Sequence, residues 1–77
     1  MLHIELDPGS RSISEAHEPG TEEFILVYEG CFVLETDGKR HYVEAGNAIH
    51  FQADRPHVYE NGCDGNTRIC MLIYYQK

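Results

Sequence analysis

The feature of this sequence that most constrains its fold is the close spacing of turn-forming residues. The groups that interrupt the 77 residues are Asp7-Pro8-Gly9, Pro19-Gly20, Asp37-Gly38, Ala45-Gly46-Asn47 and the GCDGN segment at 62–66. The pieces between them are short, several alternate apolar and polar residues, and none keeps a helical period over a useful length. The sequence therefore predicts an all-β chain of about seven or eight short strands in a small antiparallel barrel or sandwich.

The predicted strands are the pieces that lie between these turns. They cover residues 2–6, 23–34, 39–44, 48–52, 57–61 and 67–75, with an edge strand or extended loop at 10–18. Gly30 interrupts the longest apolar run, which predicts a bend or bulge inside one long strand. Asp37-Gly38 predicts a two-residue hairpin, because both residues tolerate the positive φ angles that such a turn needs.

Two of these strands carry more apolar residues than one inner face requires. On the first of them the alternation separates Phe24, Leu26 and Tyr28 on one face from Glu23, Ile25 and Val27 on the other. The closing strand at 67–75 is apolar on both faces, which predicts a strand covered on two sides. Since both sets need cover, we expect a homodimer or a neighbouring domain.

Length and charge exclude several classes of protein. A chain of 77 residues supports one small core, which excludes a TIM barrel or a second domain. The net charge of −7 opposes direct binding to DNA, RNA or an anionic membrane. No apolar stretch approaches the roughly 20 residues of a membrane span, and the first residues lack the features of a signal peptide. We therefore expect a cytoplasmic protein.

The three cysteines are odd in number and lack CxxC spacing, which argues against a disulfide framework or a zinc knuckle. This pattern fits a reducing compartment. Cys31 and Cys70 lie within apolar runs and are interpreted as buried small hydrophobes. Cys63, in the turn at 62–66, is predicted to be exposed and without a partner.

The residues that predict chemistry are His17, Glu23 and His57. None of the five histidines has the local spacing of a metal clip, so a site needs residues distant in sequence. In a closed antiparallel barrel these three can converge inside, and two imidazoles with one carboxylate resemble the facial triad that holds Fe²⁺ and also suit Zn²⁺, Mn²⁺ or Ni²⁺. Tyr59 and Asn61 share the parity of His57, and we include both as candidate ligand-binding residues.

The order of residues resembles the two conserved motifs of the cupin superfamily. His17-x-Pro19-(x)3-Glu23-(x)6-Gly30 is similar to the first motif, H-x-H-(x)3-E-(x)6-G, with Pro19 in place of the second histidine. The resemblance implies a metal site that keeps three of its four ligands, namely His17, Glu23 and His57. Loss of the histidine at Pro19 is expected to weaken metal binding.

The second motif of that superfamily, G-(x)5-P-x-G-(x)2-H-(x)3-N, is similar to Gly46-(x)5-Gln52-x-Asp54-(x)2-His57-(x)3-Asn61. Gln52 stands for the proline and Asp54 for the glycine. Together the motifs span residues 17 to 61, and the strands on both sides fit the same pattern. The resemblance therefore covers nearly the whole chain and implies a small cupin barrel, jelly-roll-like in its connections.

The phrase His17-Glu-Pro-Gly-Thr-Glu-Glu23 narrows the resemblance to the C-terminal sensor domain of bacterial helix-turn-helix regulators of the XRE type. That resemblance implies a domain, residues 1–77, which forms the C-terminal part of a longer regulator and starts at a cut boundary. It implies a small-molecule effector, a homodimer, and DNA contacts made only by a separate helix-turn-helix domain.

Two other hypotheses remain open from the sequence. One is a small metal-dependent enzyme of the dioxygenase or isomerase type that uses the two-histidine, one-glutamate set, against which Pro19 argues. The other is an inert barrel used only for oligomerisation, in which the three residues are a hydrogen-bonded polar cluster. His41 is either a residue behind the site or an exposed histidine, and Arg55 either pairs with an anionic effector or is solvated.

Overall fold

The computed structural model describes residues 2–75, which form eight strands and no helix. In chain order the strands are β1 (Leu2–Leu6), β2 (Arg11–Ser14), β3 (Thr21–Glu29), β4 (Cys31–Thr36), β5 (Lys39–Glu44), β6 (Ala48–Gln52), β7 (His57–Asn61) and β8 (Thr67–Tyr75). The prediction of an all-β antiparallel fold is confirmed. None of the described residues belongs to a helix long and apolar enough to cross a membrane.

The strands form two four-stranded antiparallel sheets that face each other. One has the order β1-β8-β3-β6 and the other β2-β7-β4-β5. Five predicted strands have the bounds of β1, β5, β6, β7 and β8, and the polar segment at 10–18 contributes β2. At the predicted hairpin, Asp37 has a φ of 54° and Gly38 a φ of 73°, as a type I′ turn requires.

The prediction at Gly30 is wrong in one respect. Instead of bending one long strand, Gly30 separates β3 in the first sheet from β4 in the second, so the chain turns a corner there. Its φ is +83°, and a β-carbon at this position would lie 2.5 Å from Thr67 Oγ1 and 2.7 Å from the Asn66 carbonyl oxygen. Only glycine has both the conformational freedom and the small size that this corner needs.

The core lies between the two sheets. Its buried members are Ile25, Val27, Phe32, Leu34, Val43, Ile69 and Met71. Alternation along β3 places Ile25 and Val27 inward and carries Glu23 inward with them, where it is fully buried. The alternation that places apolar side chains in the core therefore also places the Glu23 carboxylate in the interior.

The outer face of the first sheet remains open in the single chain. Phe24 on β3 lies opposite Leu72 on β8, and their side chains are 41% and 40% exposed. Leu26 and Tyr28 continue the same face and are also exposed. Residues 2–75 of a single chain do not supply the predicted cover on the second face of β8.

The interpretation of the cysteines is wrong at two positions. Cys31 and Cys63 form a disulfide with their Cα atoms 5.7 Å apart, while Cys70 is buried and free as predicted. The pairing follows from the register of β4 and β7, in which Phe32 lies opposite Asn61. Cys31 precedes Phe32 and Cys63 follows Asn61 by two residues, so two positions 32 residues apart in sequence meet beyond the end of the ladder.

The corner at Gly30 yields a prediction about stability. Gly30→Ala should lower the free energy of unfolding by roughly 3 kcal/mol, because the new β-carbon meets Thr67 at a backbone angle that alanine rarely adopts. Urea denaturation measures the change. The matched control is Gly65→Ala, since Gly65 has open space around it and no positive φ. Equal stability of the two variants would contradict the assigned role of the corner.

Candidate functional site

The structure brings His17, Glu23 and His57 together at one end of the barrel. Glu23 Oε2 lies 3.1 Å from His17 Nε2 and 3.5 Å from His57 Nε2. One potential ligand atom from each of the three residues lies within 4.8 Å of the other two. The convergence of these residues, expected from their spacing and from the cupin resemblance, is therefore present in the fold.

Three different elements position these side chains. Glu23 points inward from β3, and His57 points inward from the first position of β7. His17 lies in the loop before β3, where its backbone N–H donates to the Ala53 carbonyl over 2.9 Å. The same pair of loops is joined again where Gly20 N–H donates to Asp54 Oδ2 over 3.2 Å.

Asp54 is a positioning residue that the sequence reasoning missed. It stands where the cupin motif has a glycine, and its carboxylate holds the turn that follows His17. The sequence shows that Asp54 departs from the motif. It does not show the hydrogen bond to Gly20 that gives Asp54 its role, because the two residues are 34 positions apart. The ring of His17 is thereby held over the buried carboxylate although the residue itself lies on a loop.

Burial makes Glu23 the centre of the cluster. Glu23 is 0% and His57 1% exposed, whereas the His17 side chain is 38% exposed and forms the side open to solvent. Although two imidazole nitrogens lie near Glu23 Oε2, this buried oxygen makes no hydrogen bond of adequate geometry. A buried carboxylate oxygen without a hydrogen bond is costly, and a cation between it and the two imidazoles would satisfy it.

The tautomer of His57 is fixed by its backbone neighbour. His57 Nδ1 lies 2.7 Å from the Arg55 carbonyl oxygen, and since a carbonyl only accepts, Nδ1 must carry the hydrogen. In the neutral ring Nε2 then presents a lone pair toward Glu23. This arrangement is the one by which proteins orient metal-ligating histidines.

Tyr59 joins the two buried members of the cluster. Its hydroxyl donates to Glu23 Oε1 over 2.6 Å and lies 2.9 Å from His57 Nε2. The pKa of Tyr59 is raised well above its ordinary value, first by burial of the phenol and then by the adjacent Glu23, so the hydroxyl keeps its proton. Tyr59 therefore lies in the cluster and orients the carboxylate from the side that His17 does not occupy.

Asn61 lies away from the cluster. It ends β7, about 13 Å along the strand from His57. Its Nδ2 donates to the carbonyls of Leu6, Asp7 and Gly65 over 2.8–3.0 Å, and its Oδ1 accepts from Cys63 N–H and the Thr67 hydroxyl. These contacts use the whole amide, and we leave Asn61 out of the proposed site.

Two other predicted candidates also point elsewhere. His41 is exposed on β5, although the neighbouring Val43 is inward and buried. Arg55 donates to Asp37 over 2.6 Å on the surface, beside the hairpin turn. Neither side chain contacts the cluster in the described part of the chain.

A second concave region lies away from the cluster and has no converging buried polar groups. An open groove of about 720 Å³ runs between the edge strands β5 and β6, with Val43 and Ile49 among its lining residues. Its one arginine, Arg40, already donates to Glu60 over 2.8 Å and to Glu35 over 3.3 Å. Because no buried polar atoms converge there, we place the candidate site at the cluster and not in the groove.

Comparison with known proteins identifies the family of the chain. The cupin-domain family model, Cupin_2, matches residues 2–74. The chain is 32% identical over 77 residues to the HTH-type transcriptional regulator SutR of Escherichia coli strain K12, covering 97% of this chain and 43% of that protein. The chain spans less than half the length of the curated relatives it matches.

Solved structures give the same relationship. The Cupin_2 domain of an XRE family transcriptional regulator from Enterobacter cloacae superposes with a TM-score of 0.91 at 31% identity, over 97% of this chain and 79% of that one. An HTH_3 family transcriptional regulator from Vibrio cholerae also gives a TM-score of 0.91, at 27% identity, over 97% of this chain and 42% of that one.

The contacts of Asn61 predict a structural phenotype. Asn61→Ala should lower the free energy of unfolding by roughly 3 kcal/mol, because it leaves part-buried backbone groups of the β1–β2 and β7–β8 connections without partners. Asn66→Ala removes an exposed amide from the same region and should stay within about 0.5 kcal/mol of the parent. Denaturant titrations measure the free energy of unfolding of both variants. If Asn61→Ala is as stable as the parent, Asn61 returns to the candidate ligand-binding residues.

Proposed function

Because the chain belongs to the Cupin_2 family and is related to the cupin domains of helix-turn-helix transcriptional regulators, we propose that it is the effector-sensing and dimerising domain of such a regulator. The observation that carries this proposal is the buried Glu23 carboxylate, which has one oxygen unsatisfied beside two imidazoles. A purely structural cluster would be expected to satisfy that oxygen.

The proposal assigns DNA binding to a different part of the regulator. With a net charge of −7, residues 1–77 repel the phosphate backbone. We propose that they form the C-terminal part of a longer cytoplasmic regulator, whose helix-turn-helix domain makes the DNA contacts. An effector bound in the cupin domain would then act on DNA only by favouring one arrangement of the dimer.

We propose that the effector is a small molecule that enters beside His17. His17 is the one member of the cluster with a solvent-exposed side chain, and Glu23 and His57 form a polar floor behind it. Binding at His17 would be transmitted toward β2 and β3, because the loop at residues 15–20 joins these two strands. The sensor proposal expects binding without turnover.

The same residues fit a divalent transition metal, and we propose His17 Nε2, Glu23 Oε2 and His57 Nε2 as its ligands. Two imidazoles and one carboxylate suit Zn²⁺, Fe²⁺, Mn²⁺ or Ni²⁺. A bound ion would supply a Lewis-acid centre with open positions for a chelating effector. Pro19 offers no donor atom in place of a fourth ligand, so we expect weaker binding than in a four-ligand site.

A second candidate function is a small metal-dependent enzyme of the dioxygenase or isomerase type. The observation in its favour is that the three donors leave one side open, toward the exposed edge of His17. Reaction of a metal-loaded sample with a chelating substrate, measured as product formed, separates this candidate from the sensor. Binding of such molecules without product supports the sensor.

The metal proposal is tested by the metal content of the protein. Purified without chelator and without a metal-binding tag, the parent should carry about one equivalent of a transition metal, and His57→Ala should lose it. The matched control is His41→Ala, which removes an exposed imidazole outside the cluster and should keep the metal. Mass spectrometry of the metal and titration with Zn²⁺ give both values.

Tyr59→Phe provides a second variant that keeps the ring in place. Loss of the hydroxyl that orients Glu23 should weaken Zn²⁺ binding about tenfold without abolishing it. A parent that binds no metal, or a His57→Ala that binds as tightly as His41→Ala, would remove the metal from the proposal. The organic effector would then be sought through compounds that raise the melting temperature.

The dimer is assigned to the outer patch, defined as Phe24, Leu26, Tyr28 and Leu72. Cross-strand pairing makes these side chains contiguous. The neighbouring carboxylates already have partners, since Glu22 lies 2.7 Å from His50 Nε2 and Glu29 lies 3.6 Å from Arg68. A strongly acidic chain repels its own copy unless charge is kept off the contact. We therefore propose a second copy of this chain as the occupant of the patch.

Charge placed in the outer patch should separate the protomers. Phe24→Glu should raise the dimer Kd at least about tenfold, because it inserts two like charges into an apolar contact. Ile13→Glu, at an exposed apolar position on β2 in the other sheet, should leave the Kd unchanged. Sedimentation equilibrium measures both. A Phe24→Glu protein that still dimerises like the parent would show that another surface is used.

A further inference from the structure

The disulfide lies at the end of the barrel opposite the cluster. Cys31 begins β4 directly after the Gly30 corner, and Cys63 lies in the turn between β7 and β8. Neither cysteine is fully buried, and the residues on both sides of Cys63, Gly62 and Asp64, are exposed. Small solutes can therefore reach this turn, in contrast to the buried Cys70.

A polar framework holds both cysteine backbones in place independently of the bond between them. Cys63 N–H donates to Asn61 Oδ1 over 2.8 Å, and Cys31 N–H donates to Thr67 Oγ1 over 3.1 Å. The Thr67 hydroxyl lies 2.9 Å from both Asn61 Oδ1 and the Cys31 carbonyl, and Gly62 N–H donates to the same carbonyl over 3.3 Å. None of these contacts involves sulfur.

This framework has a consequence for the chemistry of the pair. The Cα separation of 5.7 Å lies in the range that a disulfide requires, and hydrogen bonds maintain it whether or not the sulfurs are joined. The two thiols of a reduced protein would therefore stay within reach of each other. Oxidation and reduction then need no movement of the backbone.

We propose that Cys31 and Cys63 form a reversible thiol–disulfide site that hydroperoxides oxidise and small thiols reduce. This inference rests on the proposed function as a cytoplasmic regulator, because disulfides in cytoplasmic proteins are usually transient and redox-sensing. The site is separate from the Glu23 cluster, and its chemistry requires no metal or effector there. It adds a second input to the domain at the opposite end of the barrel.

The chemistry balances in both directions. The Cys63 thiolate attacks a hydroperoxide oxygen and breaks the O–O bond, giving a sulfenic acid and an alkoxide or hydroxide that takes a proton from solvent. The Cys31 thiolate then attacks the Cys63 sulfur and expels hydroxide, which is protonated to water as the S–S bond forms. In reduction, a small thiolate attacks Cys63 sulfur and releases Cys31 as a thiolate that takes up a proton. A second small thiol releases Cys63 and leaves the small thiol as its disulfide.

The proposal is tested by counting accessible thiols on the folded chain. After incubation with a large excess of reduced glutathione and its removal, a maleimide should label two cysteines, and Cys70 should react only in denaturant. One equivalent of hydrogen peroxide should abolish the native labelling and leave a protein two hydrogens lighter by mass spectrometry. Glutathione should restore both labels.

Two variants sharpen the result. Thr67→Val keeps the volume of Thr67 but removes its hydroxyl, so the disulfide should re-form several-fold more slowly after peroxide. Cys70→Ser should re-form it at the parent's rate. A pair that excess glutathione leaves oxidised in the native chain is a static cross-link, and a pair that peroxide leaves reduced is not a redox site; either result overturns the proposal.

Discussion

The burial of one carboxylate is the constraint on which the rest of this structure depends. Alternation along β3 places Glu23 in the same inward row as Ile25 and Val27, so it cannot leave the interior without turning the core residues outward. Tyr59 satisfies one of its oxygens and the other faces two imidazoles. The loop that carries His17 is bonded to the Ala53 carbonyl, and the Arg55 carbonyl accepts from His57 Nδ1, so that both imidazoles face this oxygen.

The strand β7 runs from the Glu23 cluster at one end of the barrel to the cysteine pair at the other. Its first residue, His57, belongs to the cluster, and its last residue, Asn61, bonds to the β1–β2 and β7–β8 connections at the other end. One strand of five residues thus fixes the geometry of the cluster and that of the cysteine pair. β7 is paired with β2 on one side and with β4 on the other. A displacement of β7 as a unit would therefore move both His57 in the cluster and Asn61 beside the cysteine pair.

The parts that the sequence could predict are those governed by local pattern. Period-two alternation and turn chemistry were enough for the bounds of β1, β5, β6, β7 and β8. The cupin resemblance brought Glu23 and His57 together, and parity grouped Tyr59 with His57. Parity gives the face of a strand on which a side chain lies but not its position along the barrel axis. Asn61 shares the parity of His57 and therefore joined the candidate ligand-binding residues, although it lies at the other end of β7. A glycine within an apolar run is equally typical of a bulge and of a corner between two sheets, so the sequence around Gly30 does not distinguish them. The cysteine pair depends on the register of β4 and β7, which are distant in sequence.

Asp54 shows how the cluster can keep its geometry while departing from the cupin motif. The motif's glycine at this position has no side chain, whereas the Asp54 carboxylate holds the turn that places His17. The chain has Pro19 where the cupin motif has a histidine, and it has an added contact in the same loop. A loop fixed in this way keeps the exposed His17 over the buried Glu23, so that an incoming ligand meets a prepared polar surface and does not have to order the loop. This preorganisation favours recognition at the cluster, because the free energy of ordering the loop has been met in folding.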